Sequence, residues 1–118
     1  MGRATMSIAG VSRHTSRARY ALSNEICIAT EYLQEIKKST TVTHKMFFLK
    51  CLFEHLSANH NYLCNHVGFR LNVLEQIEDA KWLLRCRHYQ KIPYYAPMKV
   101  AMEQVETIIQ KKPIPNAF

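Results

Sequence analysis

Four residues could together hold a metal ion. Cys51 and His55 lie four apart, and so do His60 and Cys64, so each pair could present two ligands from one helical turn. If the chain reverses at Ala58–Asn59, the two pairs would face each other and complete a tetrahedral zinc site. The spacing differs from the familiar finger spacings, and a helical apolar stripe already accounts for part of the set. The expectation is therefore packing and solvent-facing imidazoles, with no metal or other cofactor.

Nucleophilic chemistry has less support. Cys51 with His55, or Cys86 with His88, would need an adjacent base and an oxyanion site. Cys86 and His88 are two apart and point away from each other on a helix. No Gly-rich elbow supplies oxyanion donors, and no Walker-type or dinucleotide glycine pattern cradles a phosphate. No catalytic residue is assigned. Tyr89, Tyr94 and Tyr95 beside Arg85, Arg87 and Lys91 could stack on single-stranded nucleic acid. Such aromatics more often cover a helix end or line a protein interface, and the interface reading is preferred.

The elements that position these residues read as helices. The chain has 118 residues, enough for one small domain with its own core. Three glycines and four prolines leave few turns, which favours long helices over short strands. The expected fold is all-α, a bundle of about four helices with short connectors over residues 22–112. A flexible basic arm over 1–21 and a tail over 113–118 flank it.

The best helical pattern is Val67–Leu84, where Val73, Ile77, Ala80 and Leu84 share one face and Leu74 widens it. Glu75, Glu78, Asp79 and Lys81 take the outer side, and Trp82 is read as a packing anchor in the bundle or against a partner. This helix is expected to organise the rest, to start near Asn61 and to end near Arg87–Gln90. Gly68 would mark a close crossing or a bend.

Before it, a helix from Ser23 to Lys38 carries Ile26, Ala29, Leu33 and Ile36. A second helix begins near Thr43 and carries Met46, Leu49, Phe53 and Leu56, broadened by Phe48 and Leu52. Its apolar arc is wide enough to sit between other helices. A turn is expected at Ser57–Asn61, where Ser and Asn side chains compete with helical hydrogen bonds. The last helix starts at Pro97 and buries Met98, Ala101, Met102, Val105, Ile108 and Ile109.

Charge and cysteine usage narrow the class. The net charge is +7, and residues 1–24 hold four arginines with no acid. No helix carries a dense basic stripe, which is weaker than the footprint of a sequence-reading DNA binder. Proximity to nucleic acid through the arm is compatible with it. The arm also shares the composition of organelle transit peptides, so mitochondrial import is the alternative to a plain basic arm. The four dispersed cysteines predict reduced thiols in an intracellular protein. No apolar run reaches the ~20 residues of a membrane span.

Asn61-Tyr62-Leu63-Cys64, Arg70-Leu71, Ile77, Lys81-Trp82 and Ile92-Pro93 follow one another in this order. The last helix adds Ala101, Glu103, Val105, Glu106 and Ile108. Over residues 52–110 this resembles the helical domain of the Psf-one-type subunit of the GINS complex of the eukaryotic replicative helicase. The resemblance implies a nuclear scaffold subunit in DNA replication. The expected function is a non-enzymatic helical subunit or adaptor with protein partners, in a hetero-complex or a homo-oligomer. The alternatives are a basic helical nucleic-acid-binding accessory protein, or a mitochondrial helical subunit with residues 1–21 as its import signal. Phe47, Phe48, Phe53, Trp82, Tyr94 and Tyr95 are the expected interface residues. The isolated chain is accordingly expected to aggregate or oligomerise.

Overall fold

The computed structural model describes residues 13–60, 63 and 66–111, with side chains from residue 24 onward. Four α-helices and one short 3-10 helix make up the described chain, with no strand among the described residues. They are α1 (Arg13–Lys38), α2 (Val42–Ala58), α3 (Val67–Leu84) and α4 (Tyr95–Lys111), with the 3-10 helix Arg87–Lys91 between the last two. The all-α bundle expected from glycine and proline scarcity is therefore the fold. No helix among the described residues is long and apolar enough to cross a membrane.

Helix α1 begins at Arg13 rather than at Ser23. It takes in residues expected to belong to the arm; the remainder of the arm, residues 1–12, and the tail lie outside the described residues. Residues 13–22 contain arginine, alanine, tyrosine and leucine and no glycine or proline, so nothing in them stops a helix. Ala29, Leu33 and Ile36 are buried as their spacing predicts, and Lys37 and Lys38 complement the negative end of the helix dipole.

Helix α2 starts one residue after Thr41, whose extended backbone makes it a cap. The Thr41 hydroxyl accepts a hydrogen bond from the His44 amide at 3.1 Å, satisfying one of the free first-turn donors. At the other end the Asn59 backbone amide and its side-chain Nδ2 both donate to the His55 carbonyl, at 2.9 and 3.1 Å. The asparagine thus ends the helix in the way the sequence suggests.

The connector that follows is not merely a spacer. Leu63 is fully buried in it and belongs to the core. Helix α3 then starts at Val67, later than Asn61, and stops at Leu84. Its last carbonyl accepts a 2.7 Å hydrogen bond from the Tyr95 hydroxyl. Pro97 falls in the first turn of α4, where a missing N–H leaves no helical bond unmade.

The core is built around α2, and this corrects the expectation that Val67–Leu84 organises the chain. Met46, Leu49, Leu52, Phe53 and Leu56 are fully buried in α2, and the helix packs extensively on both α1 and α4. Met98, Ala101, Met102, Val105 and Ile109 meet it from α4. Helix α3 lies chiefly on α4 and touches α2 only slightly. It contributes Val73, Ile77 and Ala80 to the core. A Cβ placed on Gly68 would meet nothing within 4 Å, so Gly68 marks no close helix crossing.

Candidate functional site

His55 faces α1, with its ring edge-on to Tyr32 at a centroid distance of 6.3 Å. Its Nε2 lies 2.9 Å from the Glu25 carbonyl, an acceptor, so Nε2 carries the proton. That leaves Nδ1 as acceptor for the Asn59 amide at 3.4 Å. Both ring nitrogens are therefore engaged in joining α1, α2 and the following turn. Cys51 is half-buried one turn earlier, and burial is the main reason its thiol titrates above the usual range. A raised pKa keeps the nucleophilic thiolate scarce. His60 is half-buried in the connector, and Cys64 lies outside the described residues. No group of three histidine, cysteine or acidic side chains among the described residues could hold a metal ion. Cys86 is half-buried just before the 3-10 helix, while His88 is exposed and tilted against Tyr89 at 5.7 Å.

The six aromatic residues expected at an interface separate into different environments. Phe53 is completely buried among the α2 core residues and presents no surface to a partner, a correction to that expectation. It sits on the same α2 stripe as Met46, Leu49 and Leu56, and that stripe is closed on both sides. Phe47 meets Tyr94 and Phe48 edge-to-face, each at 5.1 Å, and His44 abuts Phe48 at 6.2 Å. The Phe47, Phe48 and Tyr94 rings are half-buried where the start of α2 meets the start of α4, and His44 is exposed beside them. Edge-to-face pairing suits the aromatic quadrupole, so the cluster seals that end of the bundle. The half-buried Tyr95 caps α3 through its hydroxyl.

Trp82 behaves differently. It is 67% exposed, and the Arg85 guanidinium lies over its ring at 4.8 Å. The packing role within the bundle is therefore excluded for it. On the same outward stripe stand Val67, Leu71, Leu74, Glu78, Trp82 and Arg85, following one another at steps of four, three, four, four and three. Val67 is 40% and Leu71 55% exposed, while Leu74 is half-buried against the core. The rise per residue places Val67 and Trp82 about 22 Å apart along the helix. Exposed large apolar side chains are ordinary singly; several in register on one helix face form a surface able to bind another chain.

The inward side of α3 is correspondingly polar for a core face. Arg70 is only 4% exposed. Its Nη2 donates to the Ile109 carbonyl at 2.8 Å, while its Nε and Nη1 are buried with no hydrogen-bond partner. Gln76 is also buried, and its Oε1 has none. Nearer the C-terminus, Lys81 bridges to Glu106 of α4 at 2.6 Å and to Glu78 at 3.6 Å. The hydrogen bond that Lys81 donates to Glu106 is the main cause holding its ammonium above the ordinary lysine range.

The sequence reading missed Val67, Leu71 and Arg70. The first two were legible as a second apolar stripe with Leu74 and Trp82, had the outer face not been assigned to the charged residues alone. For Arg70 the sequence offers no signal, since an arginine in a first turn is ordinarily solvated. No family model, no curated protein and no solved structure matches the chain.

Proposed function

We propose that this chain is a non-enzymatic helical subunit of a larger protein assembly, and that the outward face of α3 is where it meets a neighbour. The observation that carries this reading is the exposure of Val67, Leu71 and Trp82 in register on one helix whose opposite side is already packed. A surface of that kind gains from burial at roughly 25 cal/mol per Å² of apolar area. Aromatic residues such as Trp82 are enriched at protein interfaces. The particular form of the proposal is a GINS-like scaffold in DNA replication. It is supported by the ordered residues Arg70-Leu71, Ile77, Lys81-Trp82 and Ile92-Pro93.

The test is purification of the tagged full chain from its own cells, followed by native mass measurement. A complex of fixed stoichiometry with other chains is expected, and GINS-type companions would establish the replication form. A monomer with no companion would overturn the proposal. Binding to nucleic acid that weakens steeply with salt, in the absence of any protein companion, would favour the accessory nucleic-acid-binding reading instead.

A further inference from the structure

We infer that the outward face of α3 accepts an amphipathic helix of another protein, one with carboxylates near both of its ends and aliphatic side chains between them. The inference rests on the subunit reading above and adds the chemistry of the partner.

Two guanidinium groups lie near the ends of the apolar row, Arg70 buried on the inward side at one end and Arg85 exposed at the other. At the N-terminal end, Arg70 adjoins Leu71 and is one turn from Val67. Three of its five N–H bonds, on Nε and Nη1, are buried and unpartnered, and one carbonyl is its sole acceptor among the described residues. Burying a cation without an opposite charge is unfavourable, and a carboxylate relieves it. Rotation of the long arginine stem toward the Val67–Leu71 edge would meet a carboxylate seated there. At the C-terminal end, Arg85 is exposed, stacked on Trp82, and in no ion pair among the described residues. The stack fixes the guanidinium plane beside the apolar surface, where it can receive a second carboxylate.

Between these ends the face is different. Glu78 lies within the stripe and Glu75 beside it, both exposed, with Glu78 drawn toward Lys81. A continuous acidic partner would meet these carboxylates. The matching occupant therefore keeps its acids at the ends and carries neutral or basic side chains opposite Glu78. A second copy of this chain fits poorly. Antiparallel pairing of two α3 helices brings Arg85 of one copy to the Arg70 end of the other, and parallel pairing brings Arg85 onto Arg85. The net charge of +7 adds to that repulsion.

The experiment uses the folded full chain as bait for a displayed library of helical peptides as long as α3, randomised along one face. Expected binders carry aspartate or glutamate near both ends and aliphatic residues between. Leu71→Ser and Trp82→Ala each weaken them at least tenfold while leaving the circular dichroism melt unchanged, since both side chains are exposed. Arg85→Glu shifts the selected residue at its end from acidic to basic. Several results would overturn the inference: no binders, binders without the acidic-end bias, or binders indifferent to Leu71→Ser and Trp82→Ala. Self-association in sedimentation that Leu71→Ser abolishes would also overturn it, making a second copy the occupant. If a cellular partner is found whose binding survives both variants, this inference fails while the subunit reading stands. If the library yields the expected binders but no cellular assembly exists, the subunit reading fails and the docking chemistry stands.

Discussion

Helices α2 and α3 are almost equal in length, yet they solve opposite problems. Helix α2 is apolar over a wide arc and is covered by α1 on one side and α4 on the other, with five fully buried side chains. Helix α3 is covered chiefly by α4, with only slight contact to α2 and the 3-10 helix. It keeps an arginine and a glutamine inside and exposes Val67, Leu71 and Trp82 outside. The difference teaches that apolar content does not set a helix's place. What decides is how the apolar positions are distributed around the axis, and how many neighbours are present to take them. A wide single arc draws in two neighbours, whereas two separated stripes leave one of them uncovered.

The sharpest way to break this comparison is to truncate one aromatic on each helix. Phe53→Ala should lower unfolding stability by about 3–5 kcal/mol, because a filled core site becomes a cavity. Trp82→Ala should change it by less than about 0.5 kcal/mol. Urea titration of both variants checks the pair, and a large loss for Trp82→Ala would mean that α3 is packed on both sides. Next in size is Arg70→Met, which replaces an under-bonded buried cation by an apolar chain of similar length. The expected outcome is a gain of about 1–2 kcal/mol for the isolated protein, since burying a charge is more unfavourable than one carbonyl hydrogen bond is favourable. A loss would show that the bond to Ile109 dominates.

A smaller effect concerns how the two helices start. Helix α2 has the Thr41 cap, whereas His66 before α3 makes no side-chain cap hydrogen bond. Thr41→Ala should destabilise by about 1 kcal/mol, seen as a lower thermal midpoint. The smallest effect is at the contact between α3 and α4. With Lys81 raised by Glu106, the bridge contributes fully below the ordinary lysine value of 10.5 and fades as pH rises through the still higher folded value. Stability curves of the wild type and Lys81→Met, measured against pH, should therefore approach one another only in strongly alkaline solution. Curves that already coincide at neutral pH would mean that the bridge contributes nothing.

How much of this could be read from the sequence depends on the range of the interaction. The inward stripes of all four helices were legible, because Ala29, Leu33 and Ile36 or Val73, Ile77 and Ala80 need only the helical period to be seen. The end of α2 at Asn59 was legible from side-chain chemistry within one turn. The rank of the helices was not. Periodicity shows that a face must be buried but not against which neighbour, so Val67–Leu84, with the most regular spacing and the tryptophan, looked central. Trp82 misled for a related reason: its size suggests burial, while its position on the wheel puts it with Val67 and Leu71. Leu63 lies in a connector with no period to reveal it, and the burial of Arg70 depends on the fold around it. For the candidate site, the interface reading found Trp82 by residue type and included Phe53, which the core had already taken.

One consequence of the bonds from α3 to α4 is mechanical. Arg70 to Ile109, Lys81 to Glu106 and Tyr95 to Leu84 fasten α3 near its beginning, toward its end and at its last carbonyl. All three fastenings run to α4. A tug on α3 from an attached protein would therefore be borne by α4 before it reached α2, through bonds spread along the helix rather than concentrated at one hinge.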